Sequence, residues 1–156
     1  MLQLNSRRRI GAACLAVFLG ITLSGVAGAT TNGDRMAVVM AKQYLSTLPF
    51  SLNGLIAQLE YSQFTVEQAT YGASHAGANW NAQAKAKAKQ YLSSEAFSQA
   101  GLVAQLQFDK FTSAQSVYGV AHSGANWNTE AFKKAKEYLS NQAFSKAGLI
   151  AQLEFD

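Results

Sequence analysis

From residue 30 onward the apolar positions fall into short stripes of helical spacing. Ala37, Ala41, Tyr44 and Leu45 stand at i, i+4, i+7 and i+8, which gathers them on one face of a helix turning about 100° per residue. The same positions return as Ala84, Ala88, Tyr91 and Leu92, and again as Ala131, Ala135, Tyr138 and Leu139. A second stripe, Leu52, Leu55, Ile56 and Leu59, follows Ser51, a good N-cap residue behind a Phe that can staple the turn. Ser98 and Ser145 open its copies. A third segment starts with Thr65-Val-Glu-Gln68 and Thr112-Ser-Ala-Gln115, both Thr-x-x-Gln capping boxes, and ends near Gly77 and Gly124. Strand alternation is absent, so the pattern predicts an all-α chain.

These stripes belong to one repeat. A shift of 47 residues aligns Gln43-Tyr44-Leu45 with Gln90-Tyr91-Leu92 and Glu137-Tyr138-Leu139, and Gly54 to Leu59 with Gly101 to Leu106 and Gly148 to Leu153. Phe64, Tyr71, Gly72 and the Gly77 to Asn81 segment recur at the same offset without slippage. The predicted organisation is a segment 1–29, a first repeat 30–81, a second 82–128 and a partial third 129–156, each full unit holding three short helices. Asn79 or Asn81, and Asn128, are the expected N-caps of the first helices, with Trp80 and Trp127 packing at the entry. Gly54, Gly101 and Gly148 each cost about 1 kcal/mol of helix propensity, which suggests that helices approach closely there. Lys85, Lys87 and Lys89 alternate with alanines and read as a solvated face.

Charge changes the picture only at the N-terminus. The formal net charge is +4, but Arg7, Arg8 and Arg9 sit ahead of an apolar run, and all nine acidic residues lie beyond residue 29. Without that segment the chain carries a net charge of about +1. Positive start, apolar stretch from Ile10 and small residues Ala27-Gly28-Ala29 together read as a secretory signal with cleavage before Thr30. If uncleaved, residues 10 to 29 are uncharged and just long enough to anchor in a bilayer, which would be the chain's only membrane contact. Cys14, the single cysteine, lies inside this segment, so the exported part has neither disulfide nor thiolate site. Gly11 stands where a lipobox would place Leu, and most of the apolar run follows the Cys, so Cys14 reads as an apolar signal residue.

Three chemistries were weighed against the same residues. Paired short helices suggest a helix-turn-helix, yet segments 65–75 and 112–122 contain no Lys or Arg and a single Glu. Phosphate neutralisation and Arg–guanine contacts therefore have no carriers, which argues against nucleic acid as a partner. His75 and His122 are the only histidines and have no ligand or triad neighbours, so they read as polar residues at helix C-termini. Glu60 and Glu154 align with Gln107, and Glu67 with Ala114, so no carboxylate pair recurs. No catalytic residue, metal ligand or cofactor site is expected, and the binding residues are not identified. Trp80/Trp127 and Tyr71/Tyr118 could be ligand platforms and Phe64/Phe111 exposed anchors, although aromatics at repeat positions are more often core. Tyr61 and Phe108 keep an aromatic at one position beside residues that change between copies, as Ser62 to Asp109 and Gln63 to Lys110.

The combination Ala-Lys-x-Tyr-Leu at 41–45, the Phe50 to Glu60 segment, the Phe64 to Gly72 segment and Asn79-Trp80-Asn81 resembles the host cell surface-exposed lipoprotein family, called Ltp. It recurs with substitutions through residues 82 to 156. The resemblance implies tandem helix-turn-helix-like repeats on a bacterial surface. In prophage-encoded members it implies superinfection exclusion, in which DNA injection by an incoming phage is hindered through contact with its tape measure protein. The expected role is an exported, non-enzymatic, cell-surface module that binds a protein partner; the alternative is an envelope protein binding wall polymer through its paired Trp and Tyr residues. The missing lipobox and near-neutral charge depart from a lipid-anchored, electrostatically driven binder.

Overall fold

The computed structural model describes residues 30–155; the expected export segment lies outside them. All eight elements found there are helices. The first unit holds α1 (Asn32–Thr47), α2 (Leu52–Tyr61) and α3 (Val66–Ser74), and the second holds α4 (Trp80–Ser94), α5 (Gln99–Phe108) and α6 (Ser113–Ala121). They are followed by α7 (Trp127–Asn141) and α8 (Lys146–Phe155).

Local chemistry sets the boundaries. Ser51 and Ser98 cap α2 and α5 by accepting from the amides of Gly54 and Gly101. Thr65 with Gln68, and Thr112 with Gln115, form complete capping boxes, each side chain bonded to the other's backbone. The Asn-Trp-Asn segments meet expectation at Asn79, one of the two expected caps, and depart from it at α7, where Asn126 and not Asn128 is the cap. Asn79 caps α4 and Asn126 caps α7, accepting from Ala82 and Thr129, while Asn81 and Asn128 lie inside the helices. The cap falls earlier because the chain leaves left-handed Gly77 (φ 74°) and Gly124 (φ 81°) and is already extended at Asn79 and Asn126.

The turn between the second and third helices is a Schellman motif without glycine. Gln63 donates to the Glu60 carbonyl and Phe64 to that of Leu59, with Gln63 held at φ 69°. Lys110 (φ 67°) and Phe111 repeat the arrangement on Gln107 and Leu106. This turn folds Phe64 and Phe111 back onto the helices they follow: Phe111 is buried and Phe64 packs against the first core, so neither is an exposed anchor.

Each full unit has its own core. Ala41, Leu55, Leu59, Ala69 and Ala73 form the first, and Ala84, Ala88, Leu102, Leu106, Phe111 and Val120 the second. Each fully buried leucine contributes about 1.5–3 kcal/mol. The close approach between helices is at Gly72 and Gly119, not at Gly54 or Gly148. A Cβ on Gly72 would lie 2.7 Å from both the carbonyl carbon and the Cβ of Ala37, and one on Gly119 2.7 Å from the carbonyl carbon of Ala84. At Gly54 and Gly148 the nearest atom is the Oγ of the capping serine, so those glycines belong to the cap.

Three links join the two units. Trp80 opens α4 but packs against the first core. The Phe50 amide donates to Gln83 Oε1 at 3.2 Å, and Ser51 Oγ donates to the Asp109 carbonyl at 2.6 Å. Trp127 likewise packs on the second core while opening α7. α7 and α8 pack on each other, and α8 has no buried residue.

Candidate functional site

Aromatic residues singled out in the sequence separate into two groups. Trp80 and Trp127 pack against the cores. Tyr71 and Tyr118 stack on His75 and His122 with ring centroids 3.9 Å apart. Each imidazole Nδ1 lies 2.9 or 2.8 Å from the carbonyl of the tyrosine it stacks on, where it can only donate. The histidines thus cap helix ends. The second group has no packing role. Tyr61, Phe108 and Phe155 occupy the same repeat position, the last residue of α2, α5 and α8, and are 81%, 82% and 88% exposed.

Two of these three rings line a cleft of about 440 Å³ between the first and second units. Its apolar walls come from Leu48, Pro49, Phe50 and Ala57 with Tyr61 and Phe108, and Lys87, Asp109 and Lys110 supply its charges. Lys87 departs from the solvated-face reading: it is largely covered, with its ammonium 3.7 Å from Asp109 Oδ2 and 5.1 Å from the centre of the Tyr91 ring. Tyr91 donates to the same carboxylate oxygen at 2.7 Å and accepts from Gln105 at 3.1 Å. Burial pushes the Tyr91 phenol above its ordinary pKa, and its bond to Asp109 pushes the same way. In the first unit Tyr44 meets Ser62 Oγ at 2.7 Å instead of a carboxylate, and the bonds from Ser62 and Gln58 lower its pKa.

Asp109 is the residue that sequence reasoning noticed only as a difference between copies. Its carbonyl holds Ser51 of the preceding unit and its side chain holds Tyr91 and Lys87 of its own. It therefore sets the cleft's rear wall. Lys110 beside it has no ion-pair partner among the described residues. Another cavity, of about 150 Å³, lies after the second unit and is lined by Phe97, Ser98, Trp127, Glu130 and Lys134 among others. No group of three His, Cys, Asp or Glu residues is placed to hold a metal among the described residues. None of the described helices is long and apolar enough to cross a membrane.

The family model for host cell surface-exposed lipoproteins matches residues 34–75, 79–122 and 126–156, three successive segments that together make up most of the chain. The chain belongs to this family. Its matched segments follow the three helical units, and the all-helical repeat predicted from the stripes is the family's architecture. Among solved structures the chain is similar to Ltp, a superinfection exclusion protein from the Streptococcus thermophilus temperate phage TP-J34. The two share 36% identity with a TM-score of 0.57, over 60% of this chain and 97% of the other. No curated protein matches the chain. Family membership places the chain among surface-exposed proteins.

Proposed function

We propose that this protein is a surface-displayed binding module that excludes superinfecting phage by hindering entry of their DNA through contact with a phage protein. The observation that carries the reading is the 36% identity across nearly the whole length of a superinfection exclusion protein, in repeats of the same architecture. The geometry supports contact with a protein: two units present exposed aromatics around a cleft. Display at the surface rests on the N-terminal segment, as a cleaved signal or, with residues 10 to 29 retained, as an anchor. The tape measure protein is the partner in this reading.

Expression of the full-length gene in a sensitive host tests it. Phage adsorption stays unchanged while entry of labelled phage DNA falls; undiminished DNA entry for every phage tested would remove the exclusion role. The alternative, wall-polymer binding through the paired Trp and Tyr residues, has less to rest on at the Trp pair, since Trp80 and Trp127 pack against the cores, while Tyr118 stays exposed.

A further inference from the structure

We infer that the cleft between the first two units receives an apolar side chain from a protein partner that carries a carboxylate next to it. The inference rests on the reading of the chain as a protein-binding module and specifies the chemistry of what it binds. Tyr61 and Phe108 flank the cleft with more than four-fifths of their surface in water, and Leu48 beside them is half-exposed. Such a cluster of exposed large apolar groups around a concavity marks an interaction site on a small soluble protein.

Two of the polar groups in the cleft are already engaged within the protein. Ser51 Oγ is bound to the Asp109 carbonyl, and Asp109 Oδ2 takes both Tyr91 and Lys87. What remains exposed is mostly apolar wall, with the Tyr61 hydroxyl and the ammonium of Lys110, which has no ion pair among the described residues. Since Lys87 is neutralised by Asp109, the cleft offers one net positive charge at its mouth. The complementary occupant is an aliphatic or aromatic side chain beside an Asp or Glu.

The test uses residues 30–156, since such units stand as an independent chain in the solved relative, and follows amide NMR shifts on titration. The probes are a blocked tripeptide with tryptophan beside aspartate, the same peptide with lysine in place of aspartate, the same with serine in place of tryptophan, and chitotetraose. The tryptophan–aspartate peptide should shift Tyr61, Phe108 and Lys110 and bind roughly tenfold tighter than its lysine counterpart, as one exposed charge pair allows. Lys110→Asp, tolerated at that left-handed backbone, should abolish or invert the preference, and Phe108→Ser should weaken both peptides. Equal affinity for the acidic and basic peptides, shifts confined to other surfaces, or preferential binding of chitotetraose would overturn the inference. The exclusion reading is judged separately: if the Lys110→Asp and Phe108→Ser proteins still block DNA entry, the cleft is not the contact although exclusion stands; if the wild type never blocks entry while the peptide preference holds, the reverse is true.

Discussion

Replacing Gly72 by alanine sets two energies of opposite sign against each other. Inside a helix the change should gain about 1 kcal/mol of propensity. The added Cβ, however, would fall 2.7 Å from the carbonyl carbon and Cβ of Ala37 and 2.8 Å from its carbonyl oxygen. Carbon atoms in contact prefer about 3.5–4.0 Å, so α1 and α3 must part by roughly 1 Å. Backbone atoms cannot rotate away as a side chain would. Ala37, Ala69 and Ala73 are completely buried around this contact, and separating the helices exposes or loosens all of them. Overpacking of this kind costs about 1–3 kcal/mol, which offsets or exceeds the propensity gain and predicts no stabilisation and a net loss of up to about 2 kcal/mol. Gly119→Ala should behave alike in the second unit, against Ala84.

Urea unfolding gives the net change, and native-state amide exchange shows where it acts. Because the two units have separate cores, Gly72→Ala should speed exchange in α1 to α3 more than in α4 to α6, and Gly119→Ala the reverse. A protein stabilised by about 1 kcal/mol in response to either change would refute the close-approach argument, since propensity alone would then govern. Equal acceleration of exchange in both units would instead refute the separation of the cores.

Two further outcomes follow from the same coordinates. Phe111→Ala should cost about 3–5 kcal/mol in urea unfolding because the ring is buried, whereas Phe108→Ala should stay within about 0.5 kcal/mol, its ring being 82% exposed; similar losses would mean that the division into packing and surface aromatics is wrong. Phenolate absorbance during alkaline titration should show Tyr44 ionising before Tyr91, since hydrogen bonds lower the first and burial with the Asp109 bond raises the second relative to the ordinary 10.0. A raised folded value means that the Tyr91 contribution is complete below the unfolded pKa and lost as pH climbs through the folded one. Tyr91→Phe should therefore make the alkaline loss of stability shallower, and an unchanged slope would count against it.

The helices were readable because their signals are local. A stripe at i, i+4, i+7 needs only one turn of neighbours, and a Thr-x-x-Gln box closes on itself within four residues, so Thr65 to Gln68 could be recognised in isolation. Errors begin where a choice depends on the rest of the fold. Asn126 and Asn128 both flank Trp127, and which one caps α7 is settled by the left-handed turn before it. The Schellman turn was not recognised because its left-handed position holds Gln63 or Lys110 in place of the glycine that usually marks it. Without that turn nothing in the sequence says that Phe64 and Phe111 fold inward.

Glycine and aromatic positions share a deeper ambiguity that the repeat itself does not resolve. Recurrence at 47 residues shows that a position is retained within the chain, but a packing constraint and a capping constraint recur equally well. Gly54 stands where a Cβ would crowd the Oγ of its capping serine at 2.9 Å, and Gly72 where Ala37 leaves no room for a side chain. Only the third dimension distinguishes them. The same holds for the aromatics: Phe111 and Phe108 are three residues apart and each has a repeat equivalent, yet one is core and the other is almost wholly in water. A large apolar group kept exposed at Tyr61 and at Phe108 gains nothing from folding. Packing therefore does not account for these two rings, whereas contact with a partner at the cleft they share, beside Asp109 and Lys110, does.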